Sequence, residues 1–178
     1  MSSRRPELIL IWGVSGAGKS TYCRWLRDGP GYAFVEHDES AGDRGPQSQA
    51  DRDWLAMCGG QIPPIGFVVK RRDELTVVEV GFRPGAGTIA ILRELIDAGA
   101  SAWWFDGDRD GALRNWRRRD KPVDDAFWRV QLGYVDRHWA EIAELFRTRI
   151  VRSVGPYGAT LPVEQLDRLM FGPEADGS

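Results

Sequence analysis

The residues best suited to chemistry fall together near the start of the chain, at Gly13-Val14-Ser15-Gly16-Ala17-Gly18-Lys19-Ser20, followed by Thr21. Their spacing is G-x-x-x-x-G-K-[ST], with an apolar run at 8–12 before it and a helical pattern at 19–27 after it. Glycine at 13, 16 and 18 lets the backbone N–H groups of Ser15, Gly16, Ala17 and their neighbours curl around phosphate oxygens, and the following helix directs its positive end at the same anion. Lys19 then reaches the β- and γ-phosphates, and the Ser20 hydroxyl can ligate Mg²⁺. Lysine occurs only at 19, 70 and 121 among 24 lysines and arginines, so a slim point charge stands where it must pass between phosphates. The loop implies a nucleoside triphosphate, read here as ATP, and its magnesium. Guanine-reading Asn-Lys-x-Asp is absent and Asn115 is the sole asparagine, which disfavours a GTPase switch.

Such a loop needs a strand to launch it and a helix to receive it, and the chain supplies both repeatedly. Runs of strand type lie at 8–12, 32–35, 76–80, 102–105 and 149–154. Helical patterns lie between them at 19–27, at 88–98 and in one long stretch at 123–146. Alternation of this kind predicts a single three-layer α/β domain over 1–178, with a parallel five-stranded sheet and helices on both faces. Residues 39–75, rich in Gly, Pro, Ser, Asp and Arg with one helical candidate at 49–57, break the rhythm as an acceptor-side insertion. A short lid is expected at 114–126 and a flexible tail at 173–178.

Several acids and bases compete for roles beside the loop. Glu36, His37, Asp38 and Glu39 cluster at the carboxyl end of the second strand, where open α/β sheets bind ligands. Glu79 is interior to an apolar strand, where an unpaired charge is costly, so it is expected to face the site. Arg114, Arg117, Arg118 and Arg119 form the one strong basic run, and on a helix Arg114 and Arg118 share a face. His138 falls in register with Phe127, Val130, Tyr134 and Ile142, and reads as a core histidine. The eight tryptophans read as packing, with Trp54, Trp116 and Trp128 in segments that border the acceptor cleft.

"WGVSGAGKST", followed by a second strand ending in the acidic cluster, resembles the small P-loop kinases: gluconate kinase, shikimate kinase and the nucleoside monophosphate kinases. "VEVGFRPG" at 78–85 stands where the monophosphate kinases carry Gly-Phe-Pro-Arg, with the last two letters exchanged, and "GALRNWRRRDK" resembles the arginine-bearing start of their lid. The resemblance implies a P-loop NTPase fold over about residues 8–150. It also implies that Asp38 meets the acceptor hydroxyl and orients or deprotonates it, with Arg83 on the substrate side. Arg114 would fold over the nucleotide, and Arg118 would offset charge on the transferring phosphoryl group. Asp106, which ends "SAWWFD", would hold magnesium through water in the manner of these sites. Asp108 and Asp110 equally suit the cap of a following helix, which leaves Asp106 a second reading.

Net charge of −2 and pI near 5.8 offer no electrostatic footprint for duplex nucleic acid or an anionic membrane. No long apolar segment suggests membrane insertion or secretion, and Cys23 and Cys58 lie in no metal-ligand spacing, so reduced thiols in a cytoplasm are expected. The sequence therefore predicts an ATP-dependent phosphotransferase acting on a hydroxyl of a small polar metabolite. A nucleotide or polynucleotide 5′-hydroxyl kinase and an ATP-binding regulator without transfer are the alternatives.

Overall fold

The computed structural model describes residues 6–38, 75–81, 84–119 and 124–172. The insertion at 39–74 with its helical candidate, Glu39, Cys58, Arg83, four residues of the expected lid and the tail at 173–178 lie outside the described residues. In chain order the elements are β1 (Leu8–Gly13), α1 (Lys19–Asp28), β2 (Ala33–Asp38), β3 (Thr76–Gly81), α2 (Ala86–Asp97), β4 (Ser101–Gly107) and α3 (Arg109–Arg117). Then follow α4 (Asp125–Arg137), α5 (Trp139–Phe146), β5 (Ile150–Val154), a 3₁₀ turn (Pro156–Gly158) and α6 (Val163–Phe171).

The five strands form one parallel sheet in the order β2-β3-β1-β4-β5. Central β1 reads Ile-Leu-Ile-Trp because both faces of a parallel strand are covered, and these four side chains are buried. Strand β4 shows the two coverings by its alternation. Phe105 tilts against Tyr22 of α1 and Trp103 meets Phe171 of α6, whereas Trp104 packs on Phe146 and Trp139 of α5 and, across the sheet, on Trp12. Helices α1 and α6 therefore cover one face and α5 the other, giving the three-layer α/β architecture expected. The chain leaves β1 toward β2 on one side and returns to β4 on the other, so the crevice at the carboxyl end of β1 opens where the strand order diverges.

Two expectations need correction. The pattern at 123–146 is not one helix: it breaks at His138 (φ −104°, ψ 14°), which ends α4 and begins α5. His138 is accordingly a junction residue, its ring nitrogen Nδ1 3.3 Å from Glu141 Oε2, and not a core histidine. The buried stripe of α4 is also rotated from the expected one: Trp128 and Val135 are buried, whereas Phe127 is 36% and Val130 48% exposed. Phe127 finds its apolar partner in Trp116 of α3, stacked at 6.3 Å, and not in the sheet. Helix α6 was not foreseen; its Leu166 and Met170 are buried beside Asp167, which accepts from the Tyr22 hydroxyl at 2.8 Å.

These two stripes separate by mutation. Val135→Ala should cost about 2 kcal/mol in urea unfolding through lost burial and a cavity. Val130→Ala should stay within about 0.5 kcal/mol. Equal costs would contradict the observed face.

Candidate functional site

The phosphate loop begins where β1 and β4 come too close for a side chain. At Gly13 (φ +134°) an added Cβ would lie 2.0 Å from the Phe105 carbonyl oxygen. At Gly16 (φ +90°) it would lie 2.0 Å from the carbonyl oxygen of Ala112, on α3. Both glycines are thus dictated by backbone approach as well as by a positive φ. Val14 N–H donates to Phe105 O at 3.0 Å and Ala17 N–H to Val14 O at 3.2 Å, which folds the loop over the end of β1. Helix α1 then starts at Lys19 with Gly18 as its cap, no side chain capping it and no acid in its first turn. No side chain therefore competes for its positive end, where such helices receive anions.

Lys19 is 5% exposed, and its ammonium donates to the carbonyls of Gly13 and Val14, each at 3.1 Å. Glu79 Oε1 lies 4.0 Å from it and accepts from the Ser20 hydroxyl at 2.9 Å. Glu79 reaches both because β3 runs beside β1 with Glu79 opposite Ile11, which bears out the expectation that this buried acid faces the site. One hydroxyl and one carboxylate at hydrogen-bond distance suit Mg²⁺, which keeps several waters and takes few protein oxygens. Asp106, expected to hold magnesium through water, accepts three hydrogen bonds at the end of β4. Oδ1 accepts from Gly107 N–H at 2.7 Å, and Oδ2 from the Trp104 indole at 3.2 Å and the Arg109 guanidinium at 3.1 Å. Asp108 caps α3 by accepting from Gly111 N–H at 2.7 Å, the alternative reading of that acidic run. Among the described residues no cluster of three or more His, Cys, Asp or Glu side chains could hold a metal alone.

A cavity opens beside the loop, lined by Ser15, Lys19, Gly81, Pro84, Trp128 and Gln131 among others. Asp38 closes β2 in register with Gly81, and so comes to the cavity end of the sheet. Glu36 stands opposite Glu79 in the same register. Thr21 is exposed on α1.

The arginine run divides by role. The Arg114 guanidinium lies over the ring of Tyr157 at 5.3 Å, and that of Arg119 over Trp116 at 4.5 Å. Arg118 is the exposed cap of α3. Arg117 clasps Asp125 with its Nε 3.0 Å from Oδ1 and its terminal nitrogen on Oδ2, tying the last turn of α3 to the first turn of α4. That guanidinium holds the Asp125 carboxyl below the usual carboxylate range.

Three side chains that the sequence left as packing or unassigned hold the loop itself. The Trp128 indole donates to Ser15 O at 3.0 Å, Asn115 Nδ2 to Gly16 O at 3.2 Å, and the Ser153 hydroxyl to Ala17 O at 2.7 Å. The Ser15 hydroxyl in turn donates to Gln131 Oε1 at 2.5 Å. No local pattern announces such partners, which lie about a hundred residues from the loop.

Comparison with solved structures agrees with this geometry. A gluconokinase from Sinorhizobium meliloti superposes with a TM-score of 0.56 at 22% identity, over 94% of this chain and 91% of that one. A sugar kinase from a Janibacter species gives 0.54 at 19% identity, over 96% of both chains. A shikimate kinase from Acinetobacter baumannii, solved with shikimate, gives 0.55 at 16% identity, over 92% of both. The chain shares the fold of these solved structures. No protein-family model and no curated protein sequence matches the chain. No helix of the described residues is long and apolar enough to cross a membrane.

The clasp predicts a pH signature. Because the folded pKa of Asp125 is lowered, the pair's stabilisation is present above the ordinary carboxylate range and is lost as pH falls through the lowered value. Carboxyl NMR should find Asp125 titrating below an ordinary aspartate, and Arg117→Gln should move its midpoint upward. An unchanged midpoint in Arg117→Gln would refute the clasp.

Proposed function

We propose that this chain is an ATP-dependent kinase that transfers the γ-phosphoryl group to a hydroxyl of a small polar metabolite. The observation that carries the reading is the Ser20–Glu79 contact at 2.9 Å beside a buried Lys19, under a helix start with no side-chain cap. Bound ATP and magnesium would supply the phosphoryl group and the counter-charge for its transfer.

The chain's own groups take the remaining roles. Backbone N–H groups from Ser15 to Thr21 receive phosphate oxygens, apart from that of Ala17, which bonds Val14 O, with Gly13, Gly16 and Gly18 keeping side chains out of their way. Lys19 exchanges its two loop carbonyls for phosphate oxygens, a small movement of a group already desolvated. Ser20 and Glu79 would hold the magnesium, in preference to Asp106, whose carboxylate already accepts three hydrogen bonds. Arg114, stacked on Tyr157 at the outer side of α3, suits the nucleoside end, and Arg118 one turn further suits the phosphates when the lid segment closes.

On the acceptor side, Asp38 orients the hydroxyl and takes its proton, with Arg83 a candidate substrate contact. Support for Asp38 comes from its register opposite Gly81, since Gly81 and Lys19 line the same cavity. The fold shared with a gluconokinase, a sugar kinase and a shikimate kinase supports a small hydroxylated acceptor.

Three substitutions test the assignment. Lys19→Ala should weaken ATP binding or slow transfer by orders of magnitude while the fold survives. Asp38→Asn should leave ATP affinity within a few-fold and lower transfer by roughly a hundredfold, a general-base contribution. Glu79→Gln should raise the magnesium concentration needed for half-maximal activity by about tenfold, whereas Asp106→Asn should not. Wild-type turnover in Lys19→Ala would contradict the nucleotide site, and undiminished transfer in Asp38→Asn would contradict the assigned base.

A further inference from the structure

Three consecutive carbonyls of the phosphate loop, those of Ser15, Gly16 and Ala17, accept from side chains on three different elements: Trp128 on α4, Asn115 on α3 and Ser153 on β5. None of the three donors belongs to the loop or to α1. Carbonyls on an exposed glycine-rich turn ordinarily bond water. Here a dry partner is provided for each in sequence, at 3.0, 3.2 and 2.7 Å.

Peptide geometry gives this arrangement a consequence. In a planar trans peptide the C=O of one residue and the N–H of the next point in opposite directions. Holding Ser15 O toward Trp128 therefore aims the Gly16 N–H away from α4, and holding Ala17 O toward Ser153 aims the Gly18 N–H away from β5. The Ala17 N–H between them is turned onto Val14 O at 3.2 Å. The glycines that make the cradle sterically possible also make it soft, since a peptide beside glycine flips at little cost. External clamps remove that freedom before any ligand arrives, which is preorganisation: ordering carried by the fold is not charged against binding.

We infer that Trp128, Asn115 and Ser153 are positioning residues of the phosphate loop, which fix its peptide planes through the carbonyls of residues 15–17 and thereby set triphosphate affinity without touching the triphosphate. The inference rests on the nucleotide site proposed above. It extends that site to α3, α4 and β5, and it gives Trp128 a role distinct from packing: its ring is buried, but the working atom is the indole N–H.

The test uses calorimetric binding of Mg-ATP and of magnesium tripolyphosphate to the full chain, because tripolyphosphate probes the cradle without the nucleoside. The variants are Trp128→Phe, which keeps an aromatic ring and loses the N–H, and Asn115→Ala, which removes the amide donor without adding a charge. Each should raise Kd for both ligands by the same factor, about three- to tenfold for one lost neutral hydrogen bond. The KM for ATP should rise by that factor, with kcat at saturating ATP within about twofold. A merely structural role would lower the melting temperature and the active fraction, and leave Kd of the folded fraction unchanged. Unchanged Kd in folded Trp128→Phe and Asn115→Ala would overturn the inference, as would weakening toward ATP with tripolyphosphate unaffected. If Trp128→Phe does not fold, half-buried Asn115→Ala decides alone. Wild-type protein that binds neither ligand would refute the nucleotide site itself, and this inference with it.

Discussion

A lysine ammonium buried at the carboxyl end of a parallel sheet is the constraint around which the rest of the chain is arranged. Burial of Lys19 is made tolerable by Gly13 O and Val14 O, which accept from it, and by Glu79, which stands 4.0 Å away. Those partners exist only if β1 ends at Gly13 in close approach to Phe105 and if β3 lies beside β1 in the observed register. The sheet order, the loop and the charge are therefore one requirement seen at three scales. A bound polyanion would relieve the same constraint, since phosphate oxygens are better partners for the ammonium than two neutral carbonyls.

The aromatic layers make that arrangement rigid. Trp12, Trp104, Trp139 and Phe146 pack on one face while Tyr22, Phe105, Trp103 and Phe171 pack on the other, so β4 is pinned from both sides. Large rings fix the distance between the sheet and these helices, while α3 sets Ala112 O close against Gly16. A site whose working groups are backbone N–H donors gains from this stiffness, because their directions are set by the peptides and not by rotamers.

What could be read from the sequence was what neighbouring residues decide. The loop was legible because its glycines, its strand and its helix are contiguous, and the five strands were legible as short apolar runs. Glu79 was legible for a physical reason, a charge inside a buried strand. What escaped depends on residues far apart. The break at His138 was hidden by an apolar register that continues through it, and the stripe of Phe127 and Val130 belongs partly to Trp116 instead of the sheet. Asp106 differs in that its partners Trp104, Gly107 and Arg109 are sequence neighbours, but which of them its oxygens accept from is set by side-chain orientation that the spacing does not give. The clamps from Trp128, Asn115 and Ser153 had no signal at all, since each acts on a carbonyl about a hundred residues away.

The account's central claim is that this site moves a phosphoryl group to a small hydroxylated acceptor. The most direct measurement incubates the full chain with Mg-ATP and a pooled set of sugar acids, sugars, polyols and cyclic hydroxy acids, and follows acceptor and nucleotide masses together. The account predicts one chemical class of acceptor gaining a single phosphoryl mass, with one ADP formed per phosphorylated acceptor and none in its absence. ADP formed with no phosphorylated acceptor from any class, or ATP bound without turnover, would contradict it.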